Sequence, residues 1–182
     1  MIWEEKMNEK IRFNMDTVME KEDYRKFLYI ATFKRDRRSI FFMLIISFIG
    51  ALLLSATGFG FSVKSILGAW ALMLLLVTAV VCFKIEQRNK QRVKTDKTGV
   101  FGSVTHIDFY DDYLTMQTTL TEGQSRLEYN KFYQVVECNA YFIFYYNMNM
   151  ATLLRKRDMQ GIDSTRFREF IKDKFKENYK KV

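Results

Sequence analysis

Two stretches decide the fold: IFFMLIISFIGALLLSATGFGF at residues 40–61 and ILGAWALMLLLVTAVVCF at residues 66–83. The first, written as an α-helix, is about 33 Å long and the second about 27 Å, against a bilayer hydrocarbon core of about 30 Å. Around them, residues 39–63 and 65–83 contain no charged side chain, with Lys64 alone between, although 27% of the chain is charged. A buried helix of a soluble protein needs a polar shell larger than the remaining residues supply, so both runs are expected to cross a membrane. A cleaved signal peptide does not fit, because 38 mostly hydrophilic residues precede the uncharged stretch that begins at Ser39.

Four residues, 62–65, separate the runs, which makes them an antiparallel hairpin with both outer ends on one side. Lys34, Arg35, Arg37 and Arg38 precede the first run, and Lys84, Arg88, Lys90, Arg92, Lys94 and Lys97 follow the second. Positive charge of this kind stays on the cytoplasmic side. The expected arrangement is a multi-pass protein of the inner (cell) membrane with both termini cytoplasmic. The net charge of +8 is concentrated beside the runs, which suits anionic lipid headgroups better than nucleic acid. Neither run holds an Asp, Glu, Arg, Lys or His, which argues against a pump or transporter. Ser47, Ala51 and Ser55 share one helix face and suit a close helix–helix contact. Trp70 is expected as an interfacial anchor.

Working outward, the organisation reads as four parts: 1–38, a cytoplasmic strand and amphipathic helix; 39–84, the hairpin; 85–98, a basic helical extension and linker; and 99–182, a cytoplasmic domain. In the first part Ile11, Phe13 and Met15 alternate with polar residues as in a strand. Thr17-Val18-Met19-Glu20 has the form of a capping box, which predicts that a helix begins there. Tyr24, Phe27, Leu28 and Ala31 then mark its apolar face. In the last part, short runs rich in β-branched and aromatic residues are divided by Asp111-Asp112, Thr121-Glu122-Gly123, Asn130-Lys131, Asn139 and residues 147–149. They predict a meander of five or six antiparallel strands near 102–109, 113–119, 125–129, 132–137, 140–146 and 150–155. Asp163 or Ser164 then caps a helix whose Phe167, Phe170, Ile171 and Phe175 form one face. The expected class is an α+β membrane protein: a transmembrane hairpin plus a cytoplasmic antiparallel sheet or partial barrel capped by a C-terminal helix.

The order of parts, with the phrases IDFYDDYL (107–114), LEYNKFYQVVECNAYFIFYY (127–146) and TLLRKRDM (152–159) and the preceding Glu22-Asp23-Tyr24, resembles the YcxB-like family of bacterial membrane proteins. The resemblance implies a membrane-anchored domain similar to pleckstrin-homology (PH) folds. It brings no functional residue with it.

Catalytic chemistry is sparse. The single histidine, His106, has no second histidine to share a metal, so no metal site is expected. Cys82 and Cys138, 56 residues apart, read as free thiols. Asp108, Asp111 and Asp112 lack the glycine and distal glutamate of a calcium loop, and Gly58 and Gly60 read as a helix end. No phosphate-binding or nucleophile-elbow motif occurs, so no catalytic residue and no cofactor are expected. Arg155, Lys156 and Arg157 form the one dense basic cluster of the domain. With Arg88, Lys90, Arg92 and Lys94 they are the candidate contact for anionic lipid, weighed against a solvated strand end balanced by Asp158. The functional expectation is a non-catalytic binding or regulatory module presented at the cytoplasmic face. The alternative is an auxiliary subunit of a larger membrane complex, such as a transporter or signalling assembly, that engages a protein partner through the hairpin.

Overall fold

A computed structural model describes residues 10–35, 37–59, 62–97, 99–120, 123–148 and 150–182. Gly60, Phe61, Thr121, Glu122 and Asn149, which figure in the helix end and turns expected above, lie outside the described residues. The chain divides into two compact units, Lys21–Thr95 and a unit formed by Met1–Glu20 with Asp96–Val182.

The first unit is helical. Helix α1 (Lys21–Tyr29) passes through a π-helical segment, Ile30–Arg35, and α2 (Arg37–Leu54) is followed by a second such segment, Ser55–Phe59. The long α3 (Val63–Lys94) has 32 residues, about 48 Å of helix. It begins earlier than the apolar run suggests, because the Ser62 hydroxyl accepts from the Ser65 amide at 3.1 Å and caps it. It also continues past the apolar residues to Lys94, since nothing between Phe83 and Lys94 breaks a helix.

Ser47, Ala51 and Ser55 are buried along the α2–α3 seam, where small side chains let two backbones approach. Trp70 turns into this hairpin: its Nε1 donates to Ser47 Oγ at 3.0 Å and its ring meets Phe48 edge-on. The indole thus has a polar partner within the hairpin. Two helical stretches, Arg38–Gly58 and Val63–Lys94, are long and apolar enough to cross a membrane, and only 17% and 6% of their most apolar windows are buried. Core helices of a soluble protein would be mostly covered. Near the basic end of α3, Glu86 accepts from Arg25 Nε at 2.7 Å and from the Tyr29 hydroxyl at 2.9 Å, fastening α1 to α3.

The second unit carries two four-stranded sheets, not one meander. The first has the order β1 (Phe13–Val18), β2 (Val104–Phe109), β3 (Tyr113–Thr118), β4 (Gln124–Glu128). All its neighbours are antiparallel, and β1 lies on β2 from Phe13↔Phe109 to Val18↔Val104. The second has the order β7 (Ala151–Arg155), β6 (Tyr141–Tyr145), β5 (Gln134–Glu137), β8 (Tyr179–Lys181). The short β8 runs parallel to β5. Between β4 and β5 a turn of 3-10 helix, Tyr129–Lys131, redirects the chain, and the Tyr129 hydroxyl fixes it by donating to the Tyr110 carbonyl at 2.7 Å.

The helix expected from the capping box does not begin at Thr17. That residue is buried inside β1, and its hydroxyl donates to Asp158 Oδ2 at 3.0 Å instead of capping, so α1 starts at Lys21. Helix α4 (Ser164–Phe175) is capped by Asp163, whose carboxylate accepts from the Thr165 amide at 2.8 Å. Its buried face, Phe167, Ile171 and Phe175, joins Met15, Ile107, Phe109 and Leu114 of the first sheet and Val135, Phe142, Phe144 and Leu154 of the second in one core. Phe170 is only partly buried against it.

Candidate functional site

Among the described residues of the β-unit, two ion clusters form where strands end. In the first, β7 finishes at Arg155 and the chain turns through Lys156–Asp158. Arg155 is buried, its side chain 8% exposed. Its Nε donates to Asp158 Oδ2 at 2.6 Å and its Nη1 to Glu20 Oε1 at 2.8 Å. Arg157 shares the same glutamate oxygen through Nη2 at 2.9 Å and is 59% exposed. Asp158 also accepts from the Thr17 hydroxyl, and the Arg155 amide donates to Thr17 Oγ1 at 3.4 Å. The end of β7 is thereby tied to β1, closing one edge between the two sheets.

The second cluster surrounds Glu137, the last residue of β5 and fully buried. Lys156 Nζ lies 2.6 Å from one carboxylate oxygen, and Arg168 Nε lies 2.9 Å from both. The Tyr179 hydroxyl donates to the other oxygen in a short hydrogen bond. Burial by itself would raise this carboxyl, but the Lys156, Tyr179 and Arg168 hydrogen bonds outweigh it and hold the group down at about 2, against 4.5 ordinarily. The same cluster pushes the Tyr179 hydroxyl up, through burial first and then the donated bond.

Lys156 is therefore turned inward to Glu137 and Arg155 to Asp158 and Glu20, so of the three basic residues Arg157 has the largest solvent-facing share. Arg88, Lys90, Arg92 and Lys94 all lie exposed on the polar end of α3. Sequence reasoning found these cations but missed Glu137 and cast Glu20 as a cap. The available signal was a lone acidic residue in the otherwise apolar Val135-Val136-Glu137-Cys138.

The remaining candidates resolve into structure. His106 places Nδ1 2.6 Å from Asp16 Oδ1 and Nε2 3.0 Å from Asp108 Oδ1. The Asp16 hydrogen bond lifts its pKa above the ordinary 6.5, against the opposing effect of burial. This tie between β1 and β2 is thus fully present below about pH 6.5 and weakens as pH rises through the lifted value. Asp111 pairs with Arg12 at 2.9 Å. The buried Cys138 thiol donates to the Tyr141 carbonyl at 3.6 Å, and both cysteines are free.

A two-sheet unit closed by one amphipathic helix and pinned by buried ion pairs defines the class. Over residues 109–171, from the end of β2 to the buried Ile171 of α4, the chain matches the family described as YcxB-like protein. The resemblance carried by IDFYDDYL and TLLRKRDM is shown over that stretch, and the two long apolar helices precede it in the chain. No curated protein and no solved structure matches the chain.

Proposed function

We propose that this protein is a non-catalytic binding or regulatory module, anchored by a two-helix hairpin in a bacterial inner membrane, that presents a PH-like domain at the cytoplasmic face. The observation that carries the reading is the pair of long apolar helices, barely buried, of which the second continues without a break into an exposed basic end. Apolar helical surface of that length suits the hydrocarbon core of a bilayer, and the cations that follow it suit the anionic headgroups of the inner leaflet.

Topology tests this directly. Single cysteines are placed at Val63 and at Thr165, with Cys82 and Cys138 replaced by alanine, and intact cells are treated with a membrane-impermeant thiol reagent. Position 63 is expected to label at once and position 165 only after permeabilisation. The reverse pattern overturns the orientation, and release of the protein from membranes by alkaline washing overturns the anchoring.

A further inference from the structure

Helix α4 ends at Phe175, and a short turn of 3-10 helix, Lys176–Asn178, carries the chain into β8. To make that turn Lys176 takes φ 42° and ψ −113°, a conformation that is costly for any residue with a Cβ and is usually given to glycine. Among the described residues the other positive-φ positions are all glycine: Gly99, Gly102, Gly123 and Gly161. Lys176 and Glu177 are good helix formers, so the local sequence favours carrying α4 straight on. What imposes the turn is its destination. β8 lies on β5 from Val135↔Tyr179 to Glu137↔Lys181, and the Tyr179 hydroxyl donates to the buried Glu137. The other groups on that carboxylate, Lys156 and Arg168, come from outside the segment, and Lys172 Nζ of α4 stands 5.7 Å from the centre of the Tyr179 ring. The edge of β5 is thus an acceptor for which residues 179–181 are the insert, and the link from body to insert is short and strained.

We propose that β8 is exchanged between two copies of this chain: residues 179–181 of each copy lie on β5 of the other, and Tyr179 of the second copy completes the Glu137 cluster. The contacts of β8 with β5 are the same whether one chain or two supplies them, so they do not choose between the arrangements. The hinge does. In the exchanged dimer α4 runs on through Lys176 with ordinary helical angles, and the strain at both hinges is released, which is how short strained hinges favour exchange. Bringing two copies together costs translational and rotational freedom, so the dimer gains on the monomer as concentration rises.

The test measures the dimer dissociation constant of the full chain in mild detergent by sedimentation. Glycine accepts the turn, so Lys176→Gly is expected to raise that constant about a hundredfold, about tenfold for each of the two hinges. Lys176→Val, whose branched side chain tolerates a positive φ least, is expected to lower it. A parent that stays monomeric at every concentration overturns the proposal. So does a dimer whose dissociation constant Lys176→Gly leaves unchanged, because its copies then meet elsewhere, as through the hairpin. The place of contact is read by disulfide formation, with Cys82 and Cys138 replaced by alanine. One copy carries Val136→Cys and a differently tagged copy Lys180→Cys, two positions that face each other in the register. A disulfide joining the two copies is expected, and it should fade when both also carry Lys176→Gly. Its absence between copies, while a single chain with both cysteines bridges within itself, overturns the exchange.

Discussion

Replacing Glu137 with alanine is expected to cost the β-unit about 3–5 kcal/mol, because it strands Lys156, Arg168 and the Tyr179 hydroxyl around a buried site with no counter-charge. Few single substitutions in this chain should do more. The loss falls on specific elements: β8 is three residues long and lies on β5 beside Glu137, and the Val182 amide donates to the Glu137 carbonyl at 2.9 Å. Hydrogen exchange on the full chain should show the amides of β5 and β8 losing protection first, while those of β2 and β3 hold. Full retention of β8 protection in Glu137→Ala would refute the assignment. The companion prediction is an acid transition. A carboxyl held at about 2 in the fold and at 4.5 when free stabilises the folded state above pH 4.5, by about 3 kcal/mol. That stabilisation declines as pH falls through the interval between the two values. In Glu137→Gln the stability curve should flatten over that interval.

What the sequence disclosed and what it concealed divide along the range of the interaction. The hairpin was legible because a charge-free run needs no knowledge of its neighbours, and α4 because Asp163 and the Phe167/Ile171/Phe175 spacing are local. The strand at Phe13 was legible from alternation, although its pairing with β2 bridges 90 residues at Asp16 and His106. Thr17 misled because a capping box and a strand end can share the same residues, and Asp158, 141 positions away, settled which formed. The segment Tyr179–Lys181 has no strand pattern of its own; its place on β5 is set by Tyr179 reaching Glu137. The basic cluster was visible at Arg155, Lys156 and Arg157, but its meaning lay in Glu20, 135 residues earlier. Two of those three cations turned out to be inward partners of acidic residues, a distinction that depends on burial and cannot be seen in a run of letters.

The other large effect belongs to Phe167. Its ring is completely buried and meets three rings edge-on: Phe13 of β1 at 5.2 Å, Phe109 of β2 at 5.1 Å and Phe142 of β6 at 5.2 Å. Those partners come from both sheets, so this one side chain of α4 fills the space where the sheets and the helix converge. Phe167→Ala should leave a cavity there and cost about 3–5 kcal/mol, a large share of the 5–15 kcal/mol typical of a whole domain. Phe170, also on the apolar face, touches Phe13 and Tyr129 but stays partly exposed. Phe170→Ala should cost only about 1–2 kcal/mol, in proportion to the smaller area withdrawn from water. Phe167→Leu keeps most of the volume and should cost about 1 kcal/mol. Urea unfolding of the full chain in mild detergent, followed through the near-ultraviolet signal of these rings, should order the midpoints as parent, Phe167→Leu, Phe170→Ala, Phe167→Ala. If Phe167→Ala and Phe170→Ala unfold together, α4 does not insert its first aromatic residue between the sheets, and the closure of the β-unit has to come from the ion clusters at Glu137 and Arg155 alone.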